Sequence, residues 1–322
     1  GANTDTFRIY TSEEQSFSND ATKILNFETH EIEVDGGGAE LTFDSVATVT
    51  DKFNVSGSGH FINNADIDTS AVWGEGLDTS ARMFTNNGHV RSLYRGIDME
   101  GDTATVINYG KLQGNHELFG AGIQAMNSTA YIENMAGDGT TTGVIVGGIG
   151  VLAFDNSVGG AHIKNWGLIE GTGYEGVKMG DGSIINYQGG EIIGIQSGIR
   201  IDTHASVTTS IENYGTIKGD IGIKLEGTGV ATVVNAQGGV IENTGSGIAI
   251  SSVMEAHVSN DGDIIGDVTL SANEDSFTLL SDGTYDGVID GGEGVDDFFA
   301  VGDHVISNVI NFENATFTDG SS

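Results

Sequence analysis

The stretch Ser210–Gly227, SIENYGTIKGDIGIKLEG, is rewritten with variations along most of the chain. This internal repetition limits the available folds more than any other feature. Self-similarity at a short fixed period marks an architecture in which each unit buries its apolar face on its neighbours. Aligned on the Asn that closes a short apolar strand, the units read FINN, MFTNNG, VINYG, YIENM, HIKNWG, IINYQG, IENYG, VVNAQG and VSNDG. The anchors are Asn64, Asn86, Asn108, Asn134, Asn165, Asn186, Asn213, Asn235 and Asn260, separated by 22, 22, 26, 31, 21, 27, 22 and 25 residues. A base period near 22 with longer excursions describes a coil of fixed size with loops inserted at some corners.

Each period carries two further phrases. One is G-x-hydrophobic-x-G, as in GHVRS, GKLQG, GLIEG, GTIKG and GDIIG; the other is G-I-x-hydrophobic, as in GIDM, GIQA, GVKM, GIRI, GIKL and GIAI. Three short strands separated by Gly or Asn turns fill such a period, which is too short for a βαβ unit and has no helical periodicity. Leucine-rich repeats share the period, but Leu is sparse here and no helical segment faces each strand. The expectation is therefore an all-β chain wound as a right-handed parallel β-helix (β-solenoid), with about 22 residues per coil. Ile and Val point inward, Gly takes corners that a Cβ would forbid, and the Asn side chains form an internal amide ladder. Nine anchors imply about nine coils and a rod of roughly 40 Å.

The composition agrees. The 322 residues include no Pro, the residue that cannot donate to a β-ladder and is excluded from central strands. Residues 1–60 contain strand-like runs without the Asn-Gly beat and read as an N-terminal β cap. Residues 61–270 read as the β-helix, and 271–322 as a C-terminal cap with an acidic Gly-rich turn and a tail.

With 46 acidic residues against 12 basic ones, the formal charge is −34. That field argues against nucleic acid and anionic membrane surfaces as partners. No apolar run approaches the length of a membrane span. The absence of Cys removes disulfides and thiolate metal sites. Acidity of this kind fits a highly soluble extracellular protein, a salty habitat or divalent-cation binding.

The run IENYGTIKGDIGIKLEG and its sister coils resemble the repetitive passenger regions of bacterial autotransporters and related surface adhesins, over roughly Phe61 to Leu270. The segment DGGEGVDDFFAVGDHVISNVINFENATF is similar to the end of such passengers, and ILNFE at Ile24–Glu28 echoes its NFE phrase. The resemblance implies architecture and a surface location; similar coils occur in adhesins, lyases and proteases. Gly291–Phe299, GGEGVDDFF, also matches one copy of the repeats-in-toxin nonapeptide, a family that holds calcium between consecutive turns. That resemblance makes Asp290, Asp296 and Asp297 the candidate calcium ligands. The competing reading is a plain acidic Gly turn, since one copy cannot complete such a site.

None of the strong catalytic signatures is present: no H-E-x-x-H, G-x-S-x-G, Walker loop or Rossmann fingerprint. Two columns are of interest. In the G-I-x-hydrophobic strand the middle residue points outward. Down the coils it reads Asp98, Gln124, an unassigned residue near Gly150, Lys178, Arg200, Lys224, Ala249 and Thr269. On the coils of Lys178, Arg200 and Lys224 the residue after the Asn is Trp166, Tyr187 or Tyr214. The functional reading is a lateral groove for an acidic polysaccharide or surface glycan, with cations on carboxylates and aromatic faces on sugar rings. An enzymatic alternative is a polysaccharide lyase or uronate C5-epimerase, with Lys178 as base and Arg200 neutralising the uronate. The plain reading is a set of solvated charges offset by Glu175, Asp202, Asp220 and Glu226 beside stacked turn aromatics.

A second basic cluster comprises Arg82, His89, Arg91, Arg95, Lys111 and His116, with Tyr94 among them. It reads either as a polyanion patch, with Arg91 and Arg95 foremost, or as a dock for the acidic N-terminal region. The expected role is structural or adhesive, with binding along the sides of the rod or assembly into homo-oligomers.

Overall fold

The computed structural model describes residues 6–19, 29–36, 38–45, 52–70, 76–100, 103–115, 120–126, 129–136, 142–154 and 160–318. His116 and the Ile24–Glu28 phrase lie outside these residues. The described chain is all-β, without a helix. One coil shows the plan. A first strand, Glu175–Met179, turns into a second, Gly182–Asn186, and a third, Glu191–Gly194, leads to the next coil at Ser197. Glu175 then pairs with Ser197 in parallel register, so the coil has closed after one repeat.

The third strands form one ten-stranded parallel sheet from Asp66–Asp68 to Thr284–Asp286. The first and second strands join in a 26-stranded sheet, because in two coils they run on as single strands, Ser197–Asn213 and Ile221–Asn235. In the former, a register shift between Thr203 and Val207 absorbs the extra residues relative to the next coil. This is the predicted parallel β-solenoid.

The core follows from strand alternation in a closed coil. Every third strand but the last, Thr284–Asp286, buries an apolar residue; Leu112, Ile145, Ile169, Ile192, Ile217 and Ile241 lie in register on consecutive coils and are wholly buried. The second strand buries an apolar residue and, two places on, the Asn. All nine ladder Asn residues are inaccessible to solvent.

The first rung corrects the sequence reading. Asn63, not Asn64, pairs with Asn86, donating to its Oδ1 at 2.9 Å. FINN offers two Asn residues, and alternation turns Phe61 and Asn63 inward. Asn64 is exposed and accepts from Asn87 at 2.8 Å.

Parallel pairing also runs through both terminal regions. Thr6–Thr11 pairs with Thr29–Val34, Gln15–Asn19 with Glu40–Ser45, and at the other end Ser276–Leu279 with Asp297–Val301. The Asn column gives way to Phe43 on one side and Leu279 on the other. Aromatic stacks, Phe61 on Phe84 (5.8 Å) and Phe277 on Phe298 (6.1 Å), fill the coil there. These regions lose the Asn-Gly beat but keep inward–outward alternation, which is the property pairing requires.

Corner glycines enforce the tight winding. A Cβ on Gly167 would sit 2.1 Å from the carbonyl oxygen of Gly143 on the preceding coil. Only glycine permits that approach.

Candidate functional site

The outward column of the first strands is built as register requires. Asp98, Gln124, Leu152, Lys178, Arg200, Lys224, Ser251 and Thr269 follow one another on consecutive coils. Leu152 takes the place left unassigned near Gly150, and Ser251 replaces Ala249, which is buried. The inserted residues of these two coils shift the phrase, and spacing alone does not resolve that.

Lys178, Arg200 and Lys224 are thus stacked neighbours. Arg200 is held by three carboxylates: Glu175 at 3.4 Å, Asp202 at 3.3 Å and Glu226 at 2.7 Å. Lys224 reaches Glu226 at 2.8 Å. Burial pushes the Glu226 carboxyl up, but the Lys224 hydrogen bond and the charges of Arg200 and Lys224 outweigh it and hold the group below its usual range. Lys178 differs. Its ammonium lies 5.2 Å from the centre of the Phe154 ring, and it forms no ion pair with the described residues. Two of the three stacked cations, Arg200 and Lys224, meet the three carboxylates.

Farther toward the N-terminus the same face changes sign. A groove of about 410 Å³ between Arg8 and Glu100 is lined by Glu31, Glu33, Asp78 and Glu100.

The aromatic column stands elsewhere. Trp166, Tyr187 and Tyr214 follow the ladder Asn at the corner between second and third strands, so the second strand separates them from the cations. Trp166 and Tyr187 are parallel within 2° at 4.0 Å, and Tyr187 and Tyr214 within 14° at 6.4 Å. Rings stacked along the rod occupy one another's faces and offer mainly their edges to solvent.

Their basic neighbour is Lys164, two residues before Trp166 and bonded to Glu133 at 2.9 Å. The hydrogen bond and charge of Glu133 hold its ammonium above the usual range. Beside it Tyr131 stacks on His162 at 5.0 Å. Sequence reasoning missed this second-strand face. Counting back by twos from Trp166, the residue after the ladder Asn, reaches the outward Lys164 and His162 and would have found it.

The N-terminal basic cluster is dispersed. Arg91 pairs with Asp68 on the third-strand sheet, and His89 lies 3.7 Å from Asp66. Burial draws His89 below its usual range. Arg95 pairs with Asp98 and lies 4.6 Å over the Tyr94 ring. Arg82 stands apart, at the start of a second strand in a cavity with Glu40 and His60.

The three candidate calcium ligands do not converge. Asp296 points inward and is fully buried, and Asp297, next on the strand, points outward and accepts from Asn314 at 2.9 Å. Asp290 accepts from Asn311 at 2.7 Å. Among the described residues no three His, Asp or Glu side chains are grouped to hold a metal ion. No helix among them is long and apolar enough to cross a membrane.

In comparisons with known proteins, no protein-family model, curated protein or solved structure matches this chain.

Proposed function

We propose that this protein is an extracellular or cell-surface β-solenoid with a structural or adhesive role, and that it binds acidic polysaccharide along the first-strand face around Lys178. The observation that carries the reading is the register of Lys178, Arg200 and Lys224 on three consecutive coils, in a chain with only 12 basic residues. Like charges piled about 4.8 Å apart are unfavourable unless anions lie along them. Glu175, Asp202 and Glu226 meet Arg200 and Lys224, and a ligand carboxylate would complete the set at Lys178.

A structural or adhesive role fits better than turnover. The Arg200 guanidinium, which a lyase would need to neutralise a uronate, is already shared among three carboxylates of its own chain. The test is affinity electrophoresis and ultraviolet absorbance with alginate, pectate and heparin. Retardation by at least one polyuronate, weakened about tenfold by Lys178→Ala, is the expected result. No retardation by any of them, or no effect of Lys178→Ala, refutes the glycan site. Growth of unsaturated-uronate absorbance that Lys178→Ala abolishes replaces adhesion with lyase chemistry.

A further inference from the structure

The protein has five arginines, and four of them are matched by their own chain. Arg8 pairs with Glu31, Arg91 with Asp68, Arg95 with Asp98, and Arg200 with three carboxylates. Among the described residues Arg82 forms no ion pair and no side-chain hydrogen bond, although the chain carries 46 acidic residues. Its guanidinium is exposed at the wall of a cavity of about 540 Å³. That volume lies within the range of small-molecule sites, about 300–1,000 Å³.

Register builds the cavity. Glu40, His60 and Met83 follow one another on consecutive coils, and Arg82 precedes Met83 at the corner before the second strand. Glu40 and Arg82 therefore start about 10 Å apart along the rod. His60 stands between them and is held at both ring nitrogens. Its Nδ1 donates to Glu40 Oε2 across 3.1 Å, and its Nε2 lies 2.9 Å from the Thr85 hydroxyl oxygen. Glu40 is thus engaged by His60, and the Arg82 fork stays open.

The walls limit what can enter. One open guanidinium suits one anionic group, and its planar fork matches a carboxylate bidentately. Glu40 on the opposite wall, in a chain of formal charge −34, disfavours a second negative charge on the ligand. Glu40 has a second oxygen, and Thr105 brings a hydroxyl to the same cavity; both accept from hydroxyl donors. Ala39 and Met83 add an apolar wall for the C–H face of a ring.

We propose that this cavity binds a monocarboxylate rich in hydroxyl groups, a sugar acid, with its carboxylate on Arg82 and its hydroxyls on Glu40 and Thr105. The site lies four coils from Lys178 and on a different side of the coil. It stands whether or not the glycan reading holds.

The test is calorimetric titration of the full chain with galacturonate and glucuronate at about 50 mM salt. The expected result is binding of at least one of them with a Kd of about 1 mM. Galactose, which lacks the carboxylate, and acetate, which lacks the hydroxyls, bind at least about tenfold more weakly. Arg82→Ala weakens the sugar acid at least about tenfold, and Lys178→Ala leaves its affinity unchanged. Unchanged circular dichroism shows that each variant is folded. No binding of either sugar acid overturns the proposal, and so does binding that survives Arg82→Ala. Equal affinity for acetate overturns the sugar-acid assignment. Binding that Lys178→Ala removes places the ligand on the first-strand face and overturns this site while supporting the other.

Discussion

Asn165 donates from Nδ2 to the Oδ1 of Asn186 across 2.9 Å, with both side chains inaccessible to solvent. The same amide also donates to the carbonyls of Gly167 and Glu191, and its oxygen accepts the Gly167 N–H. Each rung therefore ties three coil segments together, and eight such bonds run in one direction from Asn63 to Asn260. Aligned amides polarise one another, which favours an unbroken column.

Asn165→Ala leaves the oxygen of Asn186 and the N–H of Gly167 short of partners in a buried site. At about 1–3 kcal/mol for each of the two orphaned groups, urea unfolding is expected to show a loss of about 2–6 kcal/mol. Asn87→Ala removes the exposed bond to Asn64 and costs under about 1 kcal/mol. Equal effects of the two substitutions would remove the ladder from the account of stability.

Glycine positions divide by what surrounds them. Gly167→Ala drives a methyl into the Gly143 carbonyl and is expected to lower stability by more than about 3 kcal/mol. Gly189 has a φ of +83° but open space around its Cβ position. Gly189→Asn, which tolerates that backbone, costs less than about 1 kcal/mol. Thermal melts of both variants decide the matter.

Arg200 is the structural member of the cationic column. Arg200→Ala strands Glu175, whose side chain is only 4% exposed, without a counter-charge. Removing one partner of a buried pair costs about 3–5 kcal/mol, and the partial exposure of Arg200 places the expected loss at the lower end. Lys178→Ala, with no pair to break, leaves the melting temperature unchanged. A stable Arg200→Ala protein would show that the three carboxylates do not depend on it.

Two regions should respond to pH in opposite senses. Burial raises the carboxyls of Asp275 and Asp296, and nearby Asp275, Glu313 and Asp297 push Asp296 the same way. Groups with a raised folded pKa bind more protons when folded, so their contribution is present below the ordinary carboxylate range and is lost as pH rises through the folded value. Glu226 is held low, so its contribution is present at neutral pH and is lost as pH falls through its folded value. Hydrogen-exchange protection from 275 to 300 is expected to fall as pH rises above the ordinary carboxylate range, while that from 200 to 226 falls on acidification through and below that range. Parallel responses in both regions would contradict the assignment.

The Phe stack near the N-terminal end replaces the aliphatic column of the central coils. Phe61 is fully buried between Leu41 and Phe84. Phe61→Ala is expected to cost about 3–5 kcal/mol and Phe61→Leu less than half of that, measured by chemical denaturation. Equal losses would show that the ring itself matters beyond its volume.

The sequence by itself determined the solenoid. A side chain repeated every turn must stack on its counterpart, so the Ile, Asn and Gly of IENYGTIKG specify a buried column, an amide ladder and a tight corner before any coordinate is known. It likewise placed Lys178, Arg200 and Lys224 in one line, because the coils between them are regular. It misplaced the first Asn rung and one outward residue, and left another unassigned, where a doubled Asn or an insertion made the count ambiguous. Only the closed coil decided those, since a one-residue shift turns a side chain from core to solvent. The tertiary structure alone also parted the aromatic column from the cations and neutralised Arg200 while leaving Lys178 over the Phe154 ring without an ion pair. Such relations depend on which side of the coil each column occupies and on distances between side chains far apart in sequence, and linear spacing carries neither.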